Sequence, residues 1–284
     1  MFENEIIDTI RQYNSEIEIV DNELLGKTVH VRTKNITFHL LPIPCTGLFD
    51  ISPLYFQEKS LEYASQGVQL VHLWQDYWST KPDIVRSRIA MISGSSDRIH
   101  ARKTHVQRIT RDVMFDFFAT NHLQSFVDAR YNYGLFSNEQ MLAAASFSAG
   151  RNFNRNNIKG RSFELVRYAN VLHHRVAGGL SKLIACFIKE TNPDDIMTYA
   201  DLDWASGKGY QALNFKQTDV TPPQSFWVHP NEMIRYYPHR LPVKLTNEYQ
   251  KQKIFTNIDD FLKDKGYVKI YNAGNLKYIF LRGY

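Results

Sequence analysis

The chain has 284 residues, 43% hydrophobic, 13% aromatic and 22% charged, a balance that excludes a disordered, collagen-like or coiled-coil protein. Its 34 Lys and Arg against 29 Asp and Glu leave a formal charge of +5, which suits a phosphate-bearing partner without demanding one. That length allows one large domain or two ordinary ones. The longest apolar runs, such as Leu180–Ile188, fall well short of the ~20 residues of a membrane span. The acidic start MFENEIIDTI lacks the basic region of a secretory signal. Only Cys45 and Cys186 are present, each alone among apolar neighbours, so two buried thiols in a reducing compartment are expected. A soluble, intracellular, cytoplasmic protein is the expectation.

In chain order, Ile6, Ile7 and Ile10 share one face of a helix over Glu3–Tyr13, and alternation predicts strands at Ile17–Val20, Thr28–Arg32 and Ile36–Leu40. A break at LPIPCTG precedes a helix near Leu54–Gln66, closed by Gly67, and an apolar strand at Val68–Leu73. Trp74, Tyr77 and Trp78 read as a structural aromatic cluster. Lys81–Ile92 reads as a helix with Pro82 in its first turn, and SGSSD at Ser93–Asp97 reads as a linker. Beyond it, Ile99–Ile109 alternates as one strand, Arg111–Thr120 is a Phe-rich helix, and Gly134–Phe147 is a hairpin around Ser137-Asn138-Glu139. Gly150–Gly160, dense in Arg and Asn, reads as a loop. Phe163–Ala169 and Asp195–Ala200 read as strands flanking a helix at Ser181–Glu190, with a short helix at Gly207–Asn214 and a strand at Ser225–His229. A helical piece near Asn257–Lys265 leads into a final hairpin of Tyr267–Asn272 and Lys277–Leu281. Strands and helices alternate throughout, so the fold class is α/β or α+β.

The segment Arg175-Val176-Ala177-Gly178-Gly179-Leu180-Ser181-Lys182 lies between a strand and a helix. Glycines let backbone amides approach an anion there, and the helix N-terminus adds orphan donors and partial positive charge. A plain strand-to-helix turn is the bland reading of the same residues. The order of elements around it resembles the GNAT acyltransferase fold, whose Arg/Gln-x-x-Gly-x-Gly/Ala motif holds the coenzyme A pyrophosphate. The resemblance implies that Arg175, Gly178, Gly179 and Ser181 bind acetyl-CoA or a related acyl-CoA, with Leu180 in place of the usual small residue.

FELVRYANVLHHRVAGGLSKLIACFI, YADLDWASGKGYQALNF and GYVKIYNAGNLKYIF further resemble a GNAT-like module of phage and mobile-element proteins, attached there to Vsr-like, homing-type endonucleases and related to Mom-type DNA-modification proteins. GVQLVHLWQDYWSTKPDIVRSRI resembles the last core strand and closing helix of those nucleases. The resemblance implies a degenerate restriction-endonuclease-like domain at 1–95, a GNAT-like domain at 96–240 and a C-terminal helix-hairpin extension at 241–284. It implies a DNA partner and a bacterial or phage setting. Gly26-Lys27-Thr28-Val29-His30 stands where the family has its acidic strand, and Phe38 and His39 where another carboxylate is usual. Nuclease chemistry is therefore not expected, and no resident metal, although His30 and His39 meeting across strands is an alternative.

Acyl transfer to an amine needs a base and an acid. Glu164 precedes the cradle as GNAT bases do, and Tyr210 matches the tyrosine that commonly protonates the coenzyme sulfur; a salt bridge and core packing are their structural alternatives. His122 closes a helix, where imidazolium is favoured, and contacts substrate or caps. Asp201 ends a strand at the expected crevice. Arg102 and Lys103 in one basic run, and Arg151, Arg155, Lys159 and Arg161 in another, are candidate nucleic-acid contacts. A transferase acting on a nucleic-acid base or another amine and a non-catalytic DNA-binding accessory protein are the two leading functions.

Overall fold

The computed structural model describes residues 2–22, 25–44, 52–124, 126–155, 158–252 and 254–281, the side chains of Asn22, Arg155 and Ile158 excepted. Cys45 lies outside the described residues. The chain begins α1 (Phe2–Tyr13), β1 (Glu18–Asn22), β2 (Gly26–Val31), β3 (Ile36–Leu41), α2 (Tyr55–Ser65), β4 (Gln69–Trp74) and α3 (Gln75–Thr80). It continues α4 (Pro82–Ile92), β5 (Asp97–His100), β6 (His105–Arg108), α5 (Arg111–Asn121), β7 (Tyr131–Ser137) and β8 (Gln140–Phe147). Next come β9 (Arg151–Arg155), β10 (Ile158–Asn170), β11 (His174–Ala177), α6 (Gly179–Thr191), β12 (Asp195–Asp201), α7 (Lys208–Gln211) and β13 (Lys216–Thr221). The last stretch holds β14 (Ser225–Val228), β15 (Arg235–Tyr236), α8 (Val243–Lys251), α9 (Ile258–Asp264), β16 (Val268–Tyr271) and β17 (Asn275–Leu281).

Two compact units result, each visited by the chain more than once. Unit 1 holds Met1–Pro82, Asp201–Ser206 and Thr221–Asn275; unit 2 holds Asp83–Ala200, Gly207–Val220 and Leu276–Tyr284. The consecutive division expected at 95 and 240 thus differs from an interleaved one, because long-range pairing rather than chain continuity groups the elements.

In unit 1, β1 to β4 lie in sequence order; β1/β2 and β2/β3 are antiparallel, and β3/β4 is parallel. Val29, Phe38, Leu40, Val71 and Leu73 are buried; β3 is buried at every position and β4 at all but its first, polar Thr37, His39 and His72 included, as in strands covered on both faces. Ile6, Ile7 and Ile10 of α1 are buried as their spacing predicts. Trp74 and Trp78 are buried too, and the Trp78 indole donates to Glu5 Oε2 at 2.8 Å, which fits the structural reading of that cluster. A second sheet, β15-β14-β16, packs Trp227 of β14, with Tyr267 just before β16, against Phe261 and Leu262 of α9. Distant segments are stitched together by His72 N–H to Asp203 O at 2.8 Å and by Gln57 Nε2 to Thr221 O at 2.8 Å and to Ala273 O at 3.0 Å.

The expected final hairpin does not form. β16 pairs β14, whereas β17 lies between β13 and β12 in a different sheet. Both arms have hairpin-like alternation, but each finds a longer-range strand partner.

Unit 2 is built on a sheet ordered β13-β17-β12-β10-β8-β7-β6, with β9 on β10, beside the parallel pair β11-β5. The β7–β8 hairpin turns where expected, with Asn138 at φ 52°. Leu183, Ile184 and Phe187 form the buried stripe of α6, and the Phe187 ring stacks on Phe147 with centroids 4.0 Å apart. The single strand expected at Ile99–Ile109 is broken by a 3-10 turn at Ala101–Lys103, where Thr104 is buried and its hydroxyl donates to Ala101 O at 2.7 Å. The loop expected at Gly150–Gly160 is a β-ribbon of β9 and the start of β10. No helix among the described residues is long and apolar enough to cross a membrane.

Candidate active site

The site of unit 2 starts from a pair of parallel strands that part. β10 and β12 are in register only from Ser162–Glu164 against Asp195–Met197, yet β10 runs on to Asn170 and β12 to Asp201. A bulge in β10 between Leu165 and Arg167 turns it away, and the Thr198 hydroxyl bridges the opening by donating to Leu165 O at 3.0 Å. Where paired strands separate, main-chain donors and acceptors face the gap, and a ligand can use them.

Directly after β11, α6 opens at Gly178, whose φ of 77° requires glycine. A Cβ on Gly179 would stand 3.0 Å from Val176 and 3.1 Å from Leu135, so this second glycine lets the helix start close to its neighbours. The first intrahelical bond is Lys182 N–H to Gly178 O at 3.0 Å, which leaves the amides of Gly179, Leu180 and Ser181 outside the helical ladder. Gly178, Ser181 and Arg175 are exposed, and Leu180 is half-buried.

The cradle is narrower than the sequence implies. His174–Ala177 pairs in parallel with Asp97–His100, aligning Arg175 with Arg98. Lys182 Nζ donates to Ala101 O at 2.9 Å and to Thr104 O, and Ala101 Cβ lies 3.6 Å from where a Gly178 Cβ would stand. The exposed Arg102 and Lys103 are therefore held on the turn beside the mouth of α6, a place sequence reasoning assigned to nucleic acid. The orphan amides and the cations Arg175, Arg102 and Lys103 fit an anionic group such as a pyrophosphate.

Glu164 is half-buried; burial pushes its carboxyl up, while the guanidinium groups of Arg167 and Arg151 pull it down. Its backbone amide is held by Ser148 Oγ at 2.9 Å. For Tyr210, burial raises the phenol, and a hydrogen bond with Thr198 and the charges of Arg167 and Arg88 lower it. Tyr210 starts from the short helix α7, and its ring lies 5.6 Å from Tyr278. Arg167 is thus the shared neighbour of both candidate groups. Tyr168, pushed up by burial, donates to Asn170 Oδ1 at 2.8 Å and has Tyr210 and Arg175 as neighbours. Sequence reasoning missed Arg167 and Tyr168, because the bulge breaks the alternation that would have put them on a readable face.

The remaining candidates fall elsewhere. His122 caps α5, its Nδ1 accepting Gln124 N–H at 3.1 Å, with its ring 5.7 Å from Phe118. Its neighbour Asn121 accepts Leu172 N–H at 2.9 Å. Asp201 groups with unit 1, where its carboxylate accepts Asp203 N–H at 3.0 Å and its carbonyl accepts Trp204 and Ala205 N–H. Arg151, Lys159 and Arg161 are exposed on the β9–β10 ribbon, and the Arg155 side chain lies outside the described residues. Cys186 is half-buried, and burial raises its thiol.

In unit 1, His30 does not join His39. His30 Nδ1 lies 2.8 Å from Thr37 Oγ1, whereas His39 Nδ1 faces His72 Nδ1 at 3.2 Å and its Nε2 meets Leu25 O at 3.0 Å. Both ring nitrogens of His39 are engaged. Among the described residues, no group of three or more His, Cys, Asp or Glu could hold a metal ion.

No family model and no curated protein matches the sequence. Solved structures are similar at low identity. One is a conserved protein from Enterococcus faecalis V583, described as a probable N-acyltransferase: 13% identity, 44% of this chain, 35% of that one, TM-score 0.35. The chain therefore spans only about a third of that relative. A Bacillus subtilis acetyltransferase in complex with CoA matches at 11% identity over 64% of this chain and 100% of its own, with TM-score 0.36. A GNAT family acetyltransferase from Elizabethkingia anophelis with acetyl-CoA bound matches at 8% identity over 63% and 99%, with TM-score 0.32.

Proposed function

We propose that unit 2 is a GNAT-like acyltransferase that takes acetyl-CoA or a related acyl-CoA and acylates an amine, either on a nucleic-acid base or on another acceptor. The observation that carries this reading is the parting of β10 from β12 beside a helix whose first amides are unpaired within the helix. Arg175, Gly178, Gly179 and Ser181 would hold the pyrophosphate, with Arg102 and Lys103 adding charge. When bound, the coenzyme supplies an acyl thioester, so the net change is an amide formed and a thiol released. Glu164, raised by burial yet flanked by two guanidinium groups, is suited to take the proton that the attacking amine loses. Tyr210 keeps its proton at neutral pH and is suited to give it to the departing sulfur. The Arg167 guanidinium, whose charge acts on both groups, pulls the pKa of each down.

Calorimetric titration with acetyl-CoA, and mass spectrometry of DNA from cells expressing the chain, test the proposal. Glu164→Gln and Tyr210→Phe should each lower turnover by roughly 10²–10⁴ while coenzyme binding persists. Absence of both coenzyme binding and a DNA mass change overturns it.

A second reading, a DNA-binding accessory protein without catalysis, is favoured by one observation: β5 occupies an edge of β11 and narrows the cradle. For unit 1, the order α1-β1-β2-β3-α2-β4 with β4 parallel to β3 supports an endonuclease-like core. With His30 and His39 engaged by other partners, we read that core as inert toward phosphodiesters.

A further inference from the structure

The β9–β10 ribbon has a two-sided chemistry that the sequence conceals. In the antiparallel register, Lys159 faces Asn154 and Arg161 faces Asn152, while Gly160 faces Phe153 and Ser162 faces Arg151. Directly opposed residues share a face, so Asn152, Asn154, Lys159 and Arg161 form one array of two carboxamides and two cations. All four are exposed. The other face carries the exposed Arg151 beside Ser162 and Phe153 against Gly160, where a Cβ would stand 2.6 Å from the Phe153 ring and 2.9 Å from Asp194 Oδ2. The Asp194 carboxylate lies along the β10 edge away from β9, where it accepts Arg161 N–H at 2.6 Å. A concavity of about 550 Å³ is lined by residues 152–154 and 159–161.

We infer that this ribbon reads duplex DNA by entering the major groove with its Asn152/Asn154/Lys159/Arg161 face. The inference rests on the nucleic-acid part of the proposed function and names its partner and its readers. The major groove admits a two-stranded ribbon, and the carboxamide of asparagine matches the N6 and N7 edge of adenine. A strand rises about 3.4 Å per residue, close to the rise of one base pair, so Asn152 and Asn154 reach bases about two steps apart. Lys159 and Arg161 neutralise phosphates. The Arg161 guanidinium, 5.1 Å from the Phe163 ring centroid, is held back from the base edges. Lys159 and Arg161 on this face, with Arg151 on the other, make the ribbon complementary to the DNA backbone.

The test uses the full chain and a random duplex library at fixed salt, without coenzyme. Selected sites should contain two adenines about two base pairs apart. Asn152→Ala should relax the preference at one adenine and Asn154→Ala at the other, by roughly fivefold or more each. Lys159→Ala and Arg161→Ala should weaken binding evenly across sequences and reduce the slope of log affinity against log salt by about 1 each. The inference is overturned if neither asparagine variant changes the preference, if only single strands bind, or if no DNA binds. Coenzyme titration of the wild-type chain reads the mouth of α6 separately, so the transferase reading and the ribbon can fail independently.

Discussion

Replacing Arg235 with methionine probes what holds unit 1 together. Arg235 on β15 forks onto Asp76 of α3, Nη2 to Oδ1 at 3.0 Å and Nε to Oδ2, with side-chain exposures of only 11% and 2%. Its guanidinium also covers Tyr77 at 3.9 Å from the ring centroid, and Asp203 lies within reach of its charge. Methionine fills much of the volume but leaves the Asp76 carboxylate buried and unpaired. Breaking such a pair from one side costs about 3–5 kcal/mol. All four tryptophans, Trp74, Trp78, Trp204 and Trp227, belong to unit 1, so their fluorescence during urea unfolding reports on that unit alone. Far-UV circular dichroism reports on both. The fluorescence transition should move to lower urea by that amount of free energy, with a smaller change in the dichroism of the rest. Since a buried pair is often no better than apolar residues of similar size, Asp76→Leu with Arg235→Met should recover most of the loss. A single variant that costs under about 1 kcal/mol, or a double variant no better than the single, refutes the unpaired-charge reasoning.

Two further effects concern titration in unit 1. Burial pushes His39 down to about 4, and burial together with His39 pushes His72 well below its ordinary value. A histidine held neutral in the fold contributes stability that is present above about pH 6.5 and is lost as pH falls toward 4, about 3 kcal/mol for His39. The fluorescence midpoint should fall across that window, and the His39→Gln/His72→Gln variant should flatten the slope; an unchanged slope rejects the assignment. Asp203 is shifted the other way, raised by burial and then by Asp201. Its contribution is present in acid and lost as pH rises through its folded value. Asp203→Asn keeps the acceptor for Ala273 N–H, at 2.7 Å in the parent, and should stabilise unit 1 at neutral pH. That gain should vanish in acid, and a pH-independent change would rule out the charge account.

The candidate site was half legible. Gly178-Gly179 before an amphipathic helix declared a tight turn and a helix mouth, and Glu164 and Tyr210 stood out as polar groups beside it. Arg167 did not, because the bulge at Leu165/Arg167 shifts the register by one residue and hides it from alternation. Arg102 and Lys103 read as part of an alternating strand until the Ala101–Lys103 turn and the Lys182 contacts drew them to the helix mouth.

Much of the local structure was determined by sequence alone. The buried isoleucines of α1, the β7–β8 turn at Asn138-Glu139 and the apolar stripe of α6 follow from periodicity and turn chemistry, which act within a few residues. Only the tertiary structure decided that β16 and β17 enter different sheets, that β10 and β12 part after Glu164/Met197, and that Asn152, Asn154, Lys159 and Arg161 share a face. Strand pairing joins residues far apart in the chain, and its register depends on which partner each edge meets, a choice that alternation within one strand does not encode.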